Sequence, residues 1–448
     1  MLTRRNFLGT LAATAAAQPR RQPNIVVLFA DDLGYGELGF QGNPEIPTPH
    51  VDSIAANGIR FTNGYVSAPF CCPSRAGLMT GRYQTRFGHE MNAVGKTNLN
   101  PRMGLPLTER TMANHLKDAG YATGLIGKWH LGANDKFHPQ RRGFDEFFGF
   151  LHEGHFYFPP PYRGGLTRLR TNEPPYDEEN PLLRGTEPIV EKEYLTDALA
   201  REAVSFIDRH QSNPFFLYLA FNAIHSPMQA PVPMLKEFES IKDEQRRLFA
   251  AMLRSMDNAV GRVLAKLREL NLEEDTLIFF ISDNGGPTQE LTSSNLPMRG
   301  GKGQLFEGGI RIPFAVQWKG TLPAGKIDHR PVISLDVLPT ALAAAGKPVP
   351  AHLDGVNLLP YLRGAGKGGQ GTDSRAPHPT LFWRYGKNIA LREGKWKLVR
   401  QGGDAFQLFD LDRDASETTD RFSQEPQVAA RLRTQLDRFN GEMAAPLW

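Results

Sequence analysis

The chain of 448 residues has only two cysteines, and they are adjacent, at Cys71 and Cys72. Neighbouring cysteines rarely meet disulfide geometry, so a disulfide framework is excluded and stability must rest on a buried core. A large excess of one charge is also missing, since 52 Lys and Arg face 48 Asp and Glu. This net charge is too balanced to suggest a nucleic-acid surface, and we expect no nucleic-acid partner.

Long apolar runs are absent as well. A membrane-spanning helix needs roughly 20 apolar residues, and because no stretch here has that character, we expect no membrane span. One short apolar run ends with three alanines at residues 15–17 and follows TRRNFL at residues 3–8. This pattern is typical of a twin-arginine signal and predicts export by that machinery to the bacterial periplasm or beyond. A frayed basic N-terminus is the alternative.

From residue 24 onwards, short apolar segments alternate with amphipathic ones. The alternation indicates an α/β fold in which a large, mostly parallel sheet is covered by helices on both faces. Gly after the last apolar position marks several helix ends. The predicted strands span residues 24–30, 121–127, 215–221, 276–282 and 312–318, and the predicted helices span residues 51–57, 108–119, 194–208 and 244–270.

Two stretches interrupt this alternation. Residues 139–188 are rich in Pro, Gly and Arg, which predicts a long excursion at the substrate entrance or, alternatively, a solvated surface loop. Residues 363–379 are Gly-rich and polar, which predicts a linker. Four short strands (380–384, 389–393, 396–400 and 407–411) and a helix (426–443) follow it. We therefore expect a signal at 1–17, a large α/β domain at 24–362 and a smaller α+β domain with an antiparallel sheet at 380–448.

Reactive side chains follow four of the predicted strands. Ligands of open α/β sheets bind beyond the carboxyl ends of the strands, so these side chains are expected to share one site. They are Asp31 and Asp32; Lys128 and His130; His225; and Asp283 and Asn284. Three carboxylates and an amide would repel unless a cation lay among them, and oxygen ligands select Ca²⁺ or Mg²⁺ over zinc. A helix start at DDLG and a tight turn at DNGG are the alternatives.

The most specific motif is CCPSRAGLMTGR at residues 71–82. Its pattern, C-x-P-S-R followed by L-x-T-G-R, resembles the signature of the type I sulfatases, whose first cysteine is oxidised to formylglycine. A buried structural thiol is the alternative for a lone cysteine. The resemblance continues, in family order, through residues 24–36, 48–64, 120–132, 299–313 and 408–418.

The resemblance implies the fold of the alkaline phosphatase superfamily and a set of site residues. It implies one Ca²⁺ held by Asp31, Asp32, Asp283, Asn284 and the modified Cys71, which is also the nucleophile after conversion by a formylglycine-generating enzyme. It further implies that Arg75, Lys128, His130, His225 and Lys302 line the sulfate pocket. His89 and His155 match the family less clearly and are expected at the surface or the substrate rim.

The chemistry of a sulfate monoester fits these residue types. Its negative charge requires a cationic site, so Lys128 and Lys302 are expected to donate to the sulfate oxygens. Hydrated formylglycine has one hydroxyl to attack sulfur and a second to expel sulfate. His130 would steer or deprotonate this diol with Arg75 holding it, and His225 would protonate the leaving oxygen. Hydrogen-bonded core histidines are the alternative.

The first hypothesis is therefore an exported, calcium-dependent sulfatase that hydrolyses sulfate esters, with a sulfated polysaccharide or its fragments as the preferred substrate. A phosphate or phosphonate ester hydrolase of the same superfamily is the second. The third is a relative that binds sulfated glycans without turnover, as expected if Cys71 remains a thiol.

Overall fold

The computed structural model describes residues 21–159, 161–171, 173–363 and 375–448. The predicted export signal and residues 364–374 of the predicted linker lie outside the described residues. The strands are β1 (Asn24–Ala30), β2 (Ile59–Phe61), β3 (Gly64–Tyr65), β4 (Ala122–Lys128), β5 (Glu146–Phe150), β6 (Gly165–Arg168), β7 (Leu182–Arg184), β8 (Glu187–Ile189), β9 (Phe215–Ala220), β10 (Met228–Pro231), β11 (Thr276–Ser282), β12 (Phe314–Gln317), β13 (Lys326–Asp328), β14 (Val332–Ile333), β15 (Thr380–Tyr385), β16 (Asn388–Glu393), β17 (Trp396–Arg400) and β18 (Gln407–Asp410).

Helices alternate with these strands over most of the chain. They are α1 (Pro49–Ala56), α2 (Cys71–Thr80), α3 (Met112–Asp118), α4 (Tyr176–Glu179), α5 (Leu195–His210), α6 (Val232–Glu237), α7 (Glu244–Glu269), α8 (Thr288–Leu291), α9 (Glu307–Ile310), α10 (Val337–Ala344), α11 (Leu359–Leu362) and α12 (Pro426–Gly441). Within the described ranges, no helix has the length and apolar character needed to cross a bilayer.

A ten-stranded sheet in the order β13-β2-β12-β11-β1-β9-β4-β5-β7-β8 forms the centre of the fold. Its five middle strands, from β11 to β5, run parallel, whereas β12 and β7 run antiparallel to their inner neighbours. The predicted α/β fold with a mostly parallel sheet is confirmed. All five strands predicted from buried apolar runs are present, with end shifts of at most two residues.

Both faces of this sheet are buried. Alternate residues of β1 enter opposite cores: Val26 and Leu28 pack with α5 and α7, whereas Ile25 and Val27 belong to the core that also contains α10 and the C-terminal sheet. Burial on both faces explains why the central strands are apolar throughout instead of alternating with polar residues. The strand ends are therefore held rigidly, as a site built on them requires.

The prediction that residues 139–188 form an excursion without sheet elements is wrong. This segment contains β5, which pairs in parallel with β4, and the short strands β7 and β8, which extend the sheet edge. It also contains β6, which pairs with β10. The apolar FFGF run of β5 buries itself in the sheet, and the edge strands form by pairing with neighbours distant in sequence, which composition does not show.

The C-terminal region forms the predicted antiparallel sheet, in the order β15-β16-β17-β18, with α12 against it. Leu381 and Leu391 of this sheet and Leu432 of α12 share one core with β1 and α10. The sheet is thus packed directly on the larger α/β unit. The domain boundary within residues 363–379 stays a prediction.

Candidate active site

Two neighbouring parallel strands, β1 and β11, end in the acidic residues of the site. Asp31 and Asp32 follow β1, and Asp283 and Asn284 follow β11. The ladder continues past the strands, because Asp283 N donates to Ala30 O at 3.1 Å and Asp32 N donates to Asp283 Oδ1 at 3.1 Å. Asp32 has a φ of 61°, a left-handed conformation that few non-glycine residues adopt and that recurs at functional sites. All four side chains are buried.

Cys71 is the first residue of α2, and this helix start lies against the acidic cluster. Its Sγ is 3.6 Å from Asp31 Oδ1. One candidate ligand atom from each of Asp31, Asp32, Cys71 and Asp283 lies within 4.8 Å of all the others. Ligands on opposite sides of Ca²⁺ are about 4.6–5.2 Å apart, since each Ca–O bond is about 2.3–2.6 Å. The cluster therefore has the dimensions of a single-ion site.

Asn284 adds a further donor to this cluster. Its Nδ2 donates to Asp32 Oδ1 at 2.7 Å, and its Oδ1 is buried without a hydrogen-bond partner in the described residues. A buried carbonyl oxygen without a partner is costly, and a cation would satisfy it. The carboxylate and amide oxygens thus fit a hard divalent cation such as Ca²⁺.

Three buried or nearly buried cations balance the three carboxylates. The closest pairs are Lys128 Nζ with Asp31 Oδ2 at 2.5 Å, Lys302 Nζ with Asp32 Oδ1 at 2.8 Å, and Arg75 Nη2 with Asp283 Oδ2 at 2.8 Å. Lys128 is the last residue of β4, whereas Lys302 comes from the loop between α8 and α9. The sheet, helix α2 and one loop therefore each contribute a cation to one charged cluster.

The charges shift the protonation of individual groups in opposite directions. Burial and the neighbouring Asp283 raise the pKa of Asp31 to about 8, although Lys128 opposes this. Burial alone would raise the pKa of Asp32, but Lys302 and His225 outweigh it and hold that pKa below its usual range. Burial, followed by the charge of Asp283, raises the pKa of the Cys71 thiol well above its usual value. An unmodified Cys71 is therefore a protonated thiol in this surrounding.

Backbone carbonyls orient the two predicted histidines, and burial disfavours their charged forms. His130 Nε2 lies 2.8 Å from Ala93 O, and its Nδ1 is buried without a partner in the described part of the chain. His225 Nδ1 lies 2.6 Å from Ser226 O, and its Nε2 is 3.8 Å from Asp32 Oδ2. Burial, with a smaller effect of nearby lysines, lowers the pKa of both rings well below the usual value. Because a carbonyl only accepts, the contacting nitrogen of each ring carries the proton.

A cleft of about 1280 Å³ opens over this cluster, with His225 and Lys302 in its wall. Part of the 139–188 segment lines the cleft through Glu153, Arg170, Thr171 and Pro174, which agrees with the predicted entrance position. The cleft wall also includes Phe70, Asn92 and Gln304, which sequence reasoning missed. No local signal marks these residues, because their position depends on chain segments far apart in sequence.

The structure brings all ten predicted site residues into one region. Direct contacts connect the acids, Cys71, Arg75, Lys128, Lys302 and His225, and His130 lies within electrostatic reach of Lys128 and His225. The expectation that His89 and His155 lie at the surface or the substrate rim is wrong, because both are buried and neither is among the residues that line the cleft. His89 Nε2 contacts Cys72 Sγ at 2.9 Å.

Comparisons with known proteins identify the family of this chain. A family model described as Sulfatase matches residues 23–347, and one described as N-sulphoglucosamine sulphohydrolase, C-terminal, matches residues 301–442. N-acetylgalactosamine-6-sulfatase of Canis lupus familiaris is 38% identical over 407 residues, which are 86% of this chain and 73% of the relative. Human (Homo sapiens) arylsulfatase A is 36% identical over 412 residues, which are 86% of this chain and 76% of the relative.

A solved structure is similar over nearly the whole chain. The crystal structure of Ps i-CgsB in complex with k-i-k-neocarrahexaose has a TM-score of 0.86 at 34% sequence identity, and the match covers 96% of this chain and 95% of that chain. The family model alone spans well over half of the sequence. The chain therefore belongs to the sulfatase family, which hydrolyses sulfuric esters on the fold of the alkaline phosphatase superfamily.

Proposed function

We propose that this sulfatase removes sulfate from sulfated carbohydrates, with one Ca²⁺ at the acidic cluster and formylglycine formed from Cys71. The observation that carries the proposal is the position of Cys71, whose Sγ lies 3.6 Å from Asp31 Oδ1 and within 4.8 Å of a carboxylate oxygen of each of Asp31, Asp32 and Asp283. The cleft of about 1280 Å³ is large enough for a sugar ring with its neighbours. The similar Ps i-CgsB was crystallised in complex with an oligosaccharide, which supports a carbohydrate substrate for this chain.

The groups that complete this site would have defined tasks. Ca²⁺, held by Asp31, Asp32, Asp283 and Asn284, would supply a Lewis acid that polarises the sulfate and fixes its orientation. Formylglycine at position 71 would supply a hydroxyl nucleophile through its hydrate. Neutralising the charge of the substrate and transferring protons are tasks for the lysine and histidine side chains of the site.

Lys128 and Lys302 neutralise the substrate. Both ammonium groups point into the acidic cluster, at 2.5 Å from Asp31 and 2.8 Å from Asp32, and Lys302 also lines the cleft. A sulfate that enters the cleft brings additional negative charge to a site where three cations face three carboxylates. Preorganised ammonium groups stabilise the charge that develops on the sulfate oxygens and need no rearrangement during the reaction.

In each of the two histidines, one defined nitrogen can take up or release a proton. In His130, Nε2 donates to Ala93 O, so Nδ1 is the atom that accepts a proton from the nucleophile. In His225, Nδ1 donates to Ser226 O, so Nε2 is the atom that takes up a proton and donates it to the leaving oxygen. A bound sulfate favours the protonated ring because it adds negative charge next to the imidazole.

Matched sulfate and phosphate monoesters of one sugar test the proposed reaction. We expect faster release of sulfate, together with loss of most turnover in Cys71→Ala. Faster hydrolysis of the phosphate would instead support the phosphate or phosphonate ester hydrolase. Tight binding of sulfated sugars without product would support the binding protein. A panel of sulfated mono- and oligosaccharides then identifies the substrate.

We also propose export through the twin-arginine route, based on TRRNFL at residues 3–8 and the alanines at 15–17. In a bacterial host, the full-length chain should appear in the periplasmic fraction. Conversion of Arg4 and Arg5 to lysine should retain it in the cytoplasm. An unchanged distribution of that variant would contradict the proposed route.

A further inference from the structure

The loop that carries Lys302 is held from outside by the C-terminal sheet. We call residues 297–306 the lysine loop. Within the loop, Gly301 N donates to Gln304 Oε1 at 3.1 Å and Gln304 N donates to Gly301 O at 3.0 Å, while Lys302 N donates at 3.4 Å to Gly286 O outside the loop. Gly300 and Gly303 have φ of 82° and 85°. Because glycine restricts the backbone least, such a loop needs further contacts to fix the lysine.

The C-terminal region, the sheet together with the segment after β18, supplies these contacts on both sides of Lys302. The Tyr385 hydroxyl donates to Gly303 O, the residue directly after the lysine. Gln401 Oε1 accepts from Leu305 N at 2.9 Å. Farther along, Ser416 Oγ donates to Pro297 O at 2.7 Å, at the start of the loop. The sheet thus binds the loop through its backbone and leaves the Lys302 side chain free to point into the site.

Tyr385 also contacts the segment that leads into the nucleophile helix. Its ring meets Phe70, the residue directly before Cys71, edge to face with centroids 4.9 Å apart. The two contacted segments are joined as well, since Gly303 N donates to Pro69 O at 2.9 Å. One half-buried tyrosine therefore touches the chain next to Cys71 with its ring and the chain next to Lys302 with its hydroxyl.

Gln401 orients this tyrosine. Its Nε2 lies 3.5 Å from the Tyr385 hydroxyl oxygen, while its Oε1 accepts from the lysine loop. With that oxygen accepting from Gln401, the hydroxyl proton is directed to Gly303 O. Tyr385 ends β15 and Gln401 follows β17, and both strands pair with β16. The small sheet thus fixes the distance between the two side chains.

We propose that Tyr385, oriented by Gln401, is a positioning residue that fixes Lys302 relative to residue 71. The C-terminal sheet then affects how tightly the enzyme binds the sulfate group, although Tyr385 itself is not among the residues that line the cleft. This inference rests on the proposed function in one respect, the binding of sulfate by Lys302. It goes beyond that function by assigning a task in the active site to the smaller sheet.

The test compares Tyr385→Phe and Gln401→Leu with Phe382→Leu, a control in the same sheet whose ring contacts Phe439 and Tyr83. We measure kcat/KM on one sulfate ester, the inhibition constant of inorganic sulfate, and the melting temperature. Loss of one positioning hydrogen bond should lower kcat/KM and weaken sulfate inhibition by about 3- to 10-fold. The control should lower the melting temperature but leave the inhibition constant unchanged.

The double variant Tyr385→Phe with Gln401→Leu separates positioning from general weakening. If the two residues act as one unit, the sulfate inhibition constant of the double variant should not exceed that of whichever single variant binds sulfate more weakly. Unchanged sulfate inhibition in Tyr385→Phe, or an equal change in Phe382→Leu, would overturn the inference. Lys302→Ala is measured in parallel. Near-native turnover there would refute the proposed function, whereas an inactive Lys302→Ala with a normal Tyr385→Phe would refute this inference alone.

Discussion

Arg75 Nη2 lies 2.8 Å from Asp283 Oδ2, and neither side chain is exposed to solvent. Arg75 is four residues after Cys71 in α2, so this ion pair ties the helix that carries the nucleophile to the end of β11. The same nitrogen is 3.6 Å from Asp31, and the guanidinium lies over the Phe29 ring at 5.0 Å. One arginine thus orients the helix and neutralises two members of the acidic cluster.

Replacement of this arginine should be strongly destabilising. In Arg75→Met, Asp283 and Asp31 are left buried near each other with one cation fewer. Removal of one partner of a buried ion pair costs about 3–5 kcal/mol, so we expect a loss of this size in urea unfolding, together with loss of turnover. Arg110→Met is the control, because Arg110 and Asp118 form an exposed pair worth less than about 1 kcal/mol. Equal losses in the two variants would contradict the account.

Metal retention should depend on the amide oxygen of Asn284. In Asn284→Leu the side chain keeps its approximate volume but loses the unpartnered Oδ1, so the ion should be held more weakly. Asn284→Asp keeps an oxygen at that position and serves as the matched control. Elemental analysis after dialysis should find one Ca²⁺ per chain in the wild type and less in Asn284→Leu and Asp283→Ala. Full calcium content in both variants would show that the ion binds elsewhere.

A second buried ion cluster joins α9 to the C-terminal sheet. Lys397 Nζ lies 2.8 Å from Glu307 and 2.9 Å from Glu417, and none of these side chains is exposed. Lys397→Met leaves two buried carboxylates without their common partner, and we expect the free energy of unfolding to fall by about 3–5 kcal/mol. Lys395→Met, which removes a half-exposed lysine from Asp410, should cost about 1 kcal/mol or less. A loss below that of the control would show that the cluster contributes little.

Acid should destabilise the fold partly through His155. Burial lowers its pKa from 6.5 to about 4. The unfolded state then binds a proton below pH 6.5 that the folded state does not, so the stabilising contribution is complete above pH 6.5 and is lost as the pH falls towards 4. Between pH 6 and 5 the wild type should lose about 1.2 kcal/mol more than His155→Gln. Urea unfolding across this range gives both slopes, and parallel curves would contradict the assignment.

The sequence predicts the parts of the fold that depend on burial. β1 and β11 are uninterrupted apolar runs because they are covered on both faces, and their predicted ends match the structure. The edge strands β7 and β8 are only three residues long and exist through pairing, β7 with β5 and β8 with β7. Such pairing is a property of the assembled sheet, which explains why composition alone predicts an excursion at residues 139–188.

The acids of the site are likewise predictable, because the carboxyl ends of adjacent parallel strands meet at one edge. Lys302 does not follow a strand, and only the family resemblance indicates it. Which cation pairs with which carboxylate depends on helix and loop positions across the sheet. For the same reason, no sequence pattern indicates the contact of Tyr385 with Gly303 and Phe70.

The mass of the tryptic peptide spanning residues 61–75 tests the central claim most directly. In active protein produced with a formylglycine-generating enzyme, conversion of the Cys71 thiol to an aldehyde should lower the peptide mass by about 18 Da. Fragment ions should place the change at residue 71 and leave Cys72 intact. An unaltered thiol at Cys71 in protein that hydrolyses sulfate esters would contradict the proposed mechanism.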